Sequence, residues 1–502
     1  HIVWLGYSEM NNYAMTYSGL LYRTTTIGTY QTTRKDALTP IGRHTHFAVS
    51  RATHTTLTDP WMLSAFKSYP PGYKFDKLED WSRSYYTPEA HIETIRKFQK
   101  HTCSREPVDT AWSETKLYCL DYFRRFPRVT SLDYLTQLKE VPFEPSSAAG
   151  IGYQGKKKGD DGVHKQALQR AVATLQNCLR GNLQSVIEDS TPDAAFTRTQ
   201  LTKLSEKLKV RNVFGEAFQY ILLEGLSASP LMDMFSSVRS FFFCGLDPRV
   251  EVPKLLSEYS LRNDRLINFD WGSFDATVEP WEIEFAFSLL EFILDFPNDE
   301  SRAAFEFSRV FFTNRKIAGP DGIVNFKQRG VPSGSFFTMM IDSIINWVRI
   351  LYLFRKATGT FPEDLTTQGD DSIVGTTGQV TPETLILHIP PDTDWVLQPD
   401  KCSVGDSPAD VPFLQRKLKF GDQVRDTDKV ERLAIFPEYP VTSGMISSYR
   451  ARALWEDCNY ESDVLAWATK TLEEQFGKTD PMLVPRRYKT YHQIFYSDKV
   501  NL

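Results

Sequence analysis

The sequence predicts an α+β fold built in several lobes, and three observations lead there. A short strand candidate, 265–269, ends against an acidic residue, and a helix then opens at Pro280. A second strand pair, 366–375, turns through Gly369-Asp370-Asp371. Long helical periodicity, as over 336–354, surrounds both. The chain has 502 residues, of which 41% are apolar and 13% aromatic, enough for a large buried core in two to four units or one multi-lobed body.

In chain order, residues 1–140 are rich in Thr, Tyr, Trp and Arg, with helix candidates at 91–100 and 108–126 and no catalytic motif, so they read as a structural extension. At 150–162 a Gly-rich basic loop carries Lys156, Lys157 and Lys158, and an amphipathic helix is expected over 163–180. Residues 151–215 hold eleven Lys or Arg against six Asp or Glu, a local +5 in a chain whose formal net charge is −5. A basic segment within an acidic chain suits a polyanion-facing surface. The strand at 265–269 leads to Asp270, and Pro280 opens a helix to about 296. A hairpin is expected over 315–326, around Gly319-Pro320-Asp321-Gly322. A Gly-Val-Pro-Ser-Gly turn then precedes the 336–354 helix, and the last 75 residues are helical in tone.

Composition excludes some classes. Charged residues make up 24%, which argues against disorder. No stretch of eighteen consecutive apolar residues occurs, so no membrane span is expected. The six cysteines are scattered without C-x-x-C spacing, which fits reduced thiols in an intracellular setting. The first residue is His1 rather than Met, so the numbering is expected to begin inside a longer or processed chain.

The chemistry resides in carboxylates. Hard divalent cations take oxygen ligands, and a two-cation site for phosphoryl chemistry needs two or three carboxylates on rigid elements with the ions about 3.5–4 Å apart. A strand end (Asp270, with Asp275 five residues on) and a hairpin tip (Asp370, Asp371) meet that need, and Gly369 lets the backbone turn. Gly-Asp-Asp alone is weak, because many β-turns look the same.

Order makes the case. Lys209-x-Arg211-x-Val213-x-Gly215 comes first, then Asp270-x-x-x-x-Asp275, Ser333-Gly334-x-x-x-Thr338, Gly369-Asp370-Asp371, Lys401 and Phe413-Leu414-Gln415-Arg416. Across roughly 145–420 this resembles the right-hand viral RNA-dependent RNA polymerases. The wording Asn268-Phe269-Asp270-Trp271-Gly272-Ser273-Phe274-Asp275, Gly330-Val331-Pro332-Ser333-Gly334 and Gln368-Gly369-Asp370-Asp371 is similar to the polymerases of partitiviruses, which have segmented double-stranded RNA genomes.

The resemblance implies an antiparallel-sheet palm among helical surroundings, with fingers from 141–264 and 297–335, palm from 265–296 and 336–425, and thumb from 426–502. An N-terminal extension, 1–140, would bridge fingers and thumb. It implies that Asp270 and Asp370 hold two Mg²⁺ ions (Mn²⁺ as substitute), with Asp371 an auxiliary ligand. Asp275, Thr338, Asp342 and Asn346 would sense the ribose. In several relatives an Asn stands eight residues after the glycine, and here Asp342 occupies that place with Asn346 one turn later, so the resemblance leaves open which completes the network. Lys209 and Arg211 would grip the triphosphate. Ser333 and Gly334 would meet template or ribose, and Lys401 would protonate the leaving pyrophosphate. Phe413 to Arg416 would grip the primer, and Ser147-Ala148-Ala149-Gly150 with Lys156 to Lys158 would line the path by which a template enters. The implied partners are template and product RNA, ribonucleoside triphosphates and a viral capsid protein, with no membrane. The implied location is the virion interior in the host cytoplasm. Gln368 and the acidic Asp275 favour RNA synthesis over reverse transcription.

Overall fold

The computed structural model describes residues 16–45, 57–83, 85–155 and 157–489. Two sheets organise it. The first is four-stranded and antiparallel, in the order Leu365–Gln368, Asp371–Thr376, Arg265–Asn268, Ser403–Gly405. Gln368 pairs with Asp371, so Gly369 and Asp370 alone form the turn, while Val374 faces Ile267 and Ser403 faces Asn268. Ile373 and Val374 are fully buried, as expected of a strand covered on both faces.

Helices cover this sheet. Thr338–Thr358 runs beneath the turn, beside Pro280–Ile293 and Thr110–Phe123. Ile267, Phe269, Ile344, Trp347 and Val374 belong to one apolar core. Within it Trp347 stacks on Phe241 with ring centroids 4.1 Å apart.

The second sheet has five strands, in the order Leu38–Arg43, Ile323–Lys327, Arg315–Ala318, Asp193–Thr199, Val210–Gly215. Its pairings are antiparallel except that between Arg315–Ala318 and Asp193–Thr199. Residues 38–43, assigned from sequence to an extension, thus supply an edge strand of a central sheet. A third body joins the C-terminal helices Thr427–Ile435, Gly444–Asp457 and Asp463–Phe476 to Pro60–Lys67. Asp59 ties them. It caps the Pro60 helix through Met62 N–H at 3.0 Å, and it is buried against Ser447 and Arg450. Residues 436–486 also touch the rest of the chain. Arg198 donates to Glu438 at 2.8 Å, Arg83 to the Phe436 carbonyl at 2.8 Å, and Arg486 to Glu144 at 2.8 Å.

Observed elements sit close to those expected, with ends set by caps. The 91–100 expectation is Pro88–Arg96, started by Thr87 and Pro88, and 108–126 is Thr110–Phe123, started by Asp109. The 163–180 helix is Asp161–Leu179. The helix from Pro280 stops at Ile293, because Leu294–Asp295 leaves to pair with Val129–Thr130. The 336–354 helix is Thr338–Thr358, closed by Gly359 in the left-handed region. All six cysteines are free, and no helix among the described residues is long and apolar enough to cross a membrane.

Candidate active site

The Gly369-Asp370 turn is held from below. Asn346 donates its amide to the carbonyls of Gly369 (3.0 Å) and Asp371 (3.2 Å) and accepts from the Trp271 indole N–H at 2.9 Å. Ser343 accepts from Gly369 N–H at 2.9 Å. Gly369 adopts φ +58°, as a turn of this kind requires, and Asp370 is exposed at its tip.

Asp371 is anchored by hydrogen bonds to both carboxylate oxygens. One carboxylate oxygen accepts from Asn268 (2.6 Å) and Ser372 N–H (2.9 Å), and the other from Leu414 N–H (2.9 Å). Leu414 lies in the tight turn closed by Phe413 N–H to the Arg416 carbonyl at 2.9 Å, so Asp371 ties that turn to the sheet. Burial pushes Asp371 up to about 6 even against these donors, with the Asp370 charge adding to the rise.

Asp270 follows Arg265–Asn268 by two residues. Its carbonyl accepts from Gln398 N–H at 3.0 Å and its N–H donates to Cys402 Sγ at 3.3 Å. Burial raises its pKa, the nearby Lys401 ammonium lowers it, and Asp370 and Asp400 raise it again. Asp270 and Asp370, from different strands, therefore feel each other's charge, and exposed Lys401 stands beside them. Among the described residues no three His, Cys, Asp or Glu side chains close into a ready-made chelate. The donor set nevertheless fits a hard cation, because it is all carboxylate and because neighbouring like charges and burial penalise its ionised form.

Asp275 sits on the turn Phe274–Thr277, entered through Ser273 at φ +48°. Burial pushes it to about 6, a hydrogen bond with Asp342 lowers it, Asp370 raises it and Arg211 lowers it. Asp342 is nearly inaccessible, and burial together with the Asp275 charge drives its pKa well up. Burial and the neighbouring Asp275 charge both favour the neutral form of Asp342, whose Oδ1 has no hydrogen-bond partner in the structure.

The remaining sequence candidates divide. Asn346 is fully buried, and its amide is engaged by the hairpin and Trp271 rather than by the Asp275–Asp342 pair. Thr338 donates to the Pro332 carbonyl at 2.6 Å. Ser333 accepts from Phe214 N–H at 3.1 Å, and Gly334 lies against the Phe214 carbonyl, which brings the two motif segments together. Arg211 lies on Val210–Gly215 within electrostatic reach of Asp275. Lys209 immediately precedes that strand, with its side chain 61% exposed and Glu206 4.0 Å away, and Lys209 and Arg211 are both exposed on either side of buried Val210. Lys158 lies over the Phe218 ring at 5.7 Å, near Glu216. Ala148 bridges Lys157, and Lys156 lies outside the described residues.

Sequence reasoning missed Glu224. It is buried and accepts from Ser335 Oγ (2.8 Å) and Phe336 N–H (2.7 Å), holding the turn before Thr338 against Arg315 at 3.2 Å. An acid inside the apolar run 218–228 was the available signal.

Comparison with known proteins follows the same lines. Residues 59–471 match the family described as viral RNA-dependent RNA polymerase. The RNA-directed RNA polymerase of Cryptosporidium parvum virus 1 (strain KSU-1) is 37% identical over 87 residues, 17% of this chain and 16% of that protein. The non-structural polyprotein 1AB of Mink astrovirus 1 is 29% identical over 191 residues, 34% of this chain and 13% of that protein. The corresponding polyprotein of Human astrovirus-4 is 27% identical over 120 residues, 22% and 8% respectively. These stretches span under a fifth of each relative's own length.

Proposed function

This chain belongs to the viral RNA-dependent RNA polymerase family, and from that membership we propose that it copies RNA into RNA from ribonucleoside triphosphates, releasing pyrophosphate. The observation that carries the reading is the meeting of Asp270 and Asp370 from neighbouring strands of one sheet, with Asp371 already held by three N–H donors.

Asp270 and Asp370 would hold two Mg²⁺ ions, or Mn²⁺ in their place, with Asp371 auxiliary. When bound, these ions activate the attacking 3′-hydroxyl and stabilise charge on the phosphorus. The chain's own groups do the rest. Arg211 offers a planar fork to the triphosphate, with Lys209 a solvent-side cation near it. Asp275, beside Asp342, accepts a hydrogen bond from the 2′-hydroxyl, the group that distinguishes RNA from DNA. Ser333 and Gly334 form the surface against which template and ribose rest. Lys401 gives a proton to the departing pyrophosphate.

In this reading the four-stranded sheet is the palm (265–296 and 336–425), the five-stranded sheet belongs to the fingers (141–264 and 297–335), and the C-terminal helices form the thumb (426–502). Residues 1–140 bridge them. The motif wording further suggests a partitivirus-like double-stranded RNA genome, replicated and transcribed within a virion beside capsid protein. The test is labelled ribonucleotide incorporation on a single-stranded RNA without primer. Template- and divalent-dependent product is expected, and no incorporation with either Mg²⁺ or Mn²⁺ would overturn the proposal.

A further inference from the structure

Three consecutive long side chains, Lys327, Gln328 and Arg329, lie just before the Ser333-Gly334 turn, and all are buried. Each leaves in its own direction. Lys327 Nζ donates to four carbonyls, those of Phe312 (2.9 Å), Thr313 (2.9 Å), Arg329 (3.3 Å) and Gly330 (3.0 Å). Gln328 Nε2 donates to the Asp36 carbonyl at 2.7 Å, and its side-chain oxygen accepts from Thr32. Arg329 donates to the carbonyls of Phe98 (3.1 Å), Lys97 (3.2 Å) and Gln99 (3.4 Å), to Glu279 at 3.3 Å, and to Asp394.

Glu279 is the meeting point. Its side chain is fully buried, four residues past Asp275, at the start of the Pro280 helix. Besides Arg329 it accepts from Lys100 Nζ at 2.5 Å and Tyr17 OH at 3.1 Å. The next residues lock onto the Asp275 turn itself. Gly330 N–H donates to the Val278 carbonyl at 2.9 Å and Val331 N–H to the Asp275 carbonyl at 2.8 Å. The approach is so close that a Cβ on Gly330 would stand 2.7 Å from that carbonyl.

Buried ion pairs seldom stabilise a fold more than apolar groups of the same shape would. Charges gathered at this junction are better explained by what they place. We infer that Lys100, Glu279 and Arg329 form a positioning clamp for Asp275, through which the segment around residues 17–100 sets the preference for ribonucleotides. The inference rests on the sugar-sensing role proposed for Asp275 and adds residues that touch no substrate. Lys100 and Arg329 converge on Glu279 Oε1 while Tyr17 holds Oε2, Glu279 fixes the junction between the Asp275 turn and the following helix, and Gly330-Val331 fixes the same turn from the Ser333 side.

The test is a double-mutant cycle read as the ratio of kcat/KM for a ribonucleotide to that for its deoxyribonucleotide. Lys100→Met, and Asp394→Asn on the solvent side of Arg329, are made in wild type and in Asp275→Ala, with circular dichroism and urea midpoints as folding controls. Asp394 is 39% exposed, so its variant keeps the fold even where Lys100→Met does not. Each single variant should shrink the ratio about threefold to tenfold, Lys100→Arg should restore it, and neither should change the ratio further once Asp275 is Ala. An unchanged ratio in folded Lys100→Met and Asp394→Asn overturns the clamp while leaving the Asp275 role standing. The same loss in the Asp275→Ala background overturns it too, because the residues then act elsewhere. If Asp275→Ala itself leaves the ratio at the wild-type value, the sugar-sensing reading fails and the clamp with it.

Discussion

Replacing Asn346 with Ala separates what its spacing suggests from what its surroundings impose. The substitution removes three hydrogen bonds and strands the Trp271 indole N–H and the carbonyls of Gly369 and Asp371. A buried group left without a partner costs about 1–3 kcal/mol. Water can reach the turn beside exposed Asp370, so the carbonyls lie near the low end and the indole near the high end. The sum is about 3–5 kcal/mol, large against a typical total of about 5–15 kcal/mol but short of unfolding. The turn carrying Asp370 loses its support while no substrate contact is removed. The ribonucleotide KM should therefore stay within about threefold while kcat falls about tenfold or more, each tenfold being about 1.4 kcal/mol. Urea denaturation and single-turnover extension on one RNA measure both effects. A risen KM and weakened ribose preference with unchanged stability would refute this reasoning and return Asn346 to the ribose.

Three further outcomes follow from the same geometry. Asp275→Ala should reduce ribonucleotide over deoxyribonucleotide preference by about tenfold to two-hundredfold, since a missing 2′-hydroxyl leaves an acceptor unpaired at about 1–3 kcal/mol; both efficiencies falling together would contradict it. Arg211→Ala should raise nucleotide KM about tenfold or more and Lys209→Ala less than about threefold, because only Arg211 reaches Asp275; a collapse of template affinity would instead place them in the RNA path. Asp371 is raised from 3.8 to about 6, so the stability it confers is complete below about pH 4 and is lost as pH rises through about 6. Without divalent cations, Asp371→Asn should thus gain on wild type between pH 4 and 7 by up to about 3 kcal/mol, and a urea-midpoint difference moving the other way would contradict burial as the dominant cause.

How far the sequence went can be read residue by residue. Asp270, Asp370 and Asp371 were legible because strand ends and a glycine turn are local features, and their order along the chain is distinctive. Spacing of four put Asn346 on one helix face with Asp342 but could not report depth, and its amide supports the turn from below. Strand Leu38–Arg43 escaped notice because Thr, Pro and Gly at a sheet edge carry no periodic apolar signal, and its partner Ile323–Lys327 lies far along the chain. Glu224 could be suspected as a buried acid from its apolar run, but what it and Glu279 support is defined by partners such as Arg315 and Arg329 that only the fold brings near.

The most direct measurement compares wild type with Asp370→Asn for Mg²⁺-dependent incorporation of labelled ribonucleotides on one single-stranded RNA, with circular dichroism and RNA binding alongside. The swap is nearly isosteric and removes one charge from the group at the exposed tip of the hairpin. Abolished synthesis with fold and RNA binding near wild type is the expected result. More than a few per cent of activity retained under Mg²⁺ would contradict the assignment of Asp370 to the metals and, with it, the carboxylate centre proposed for this chain.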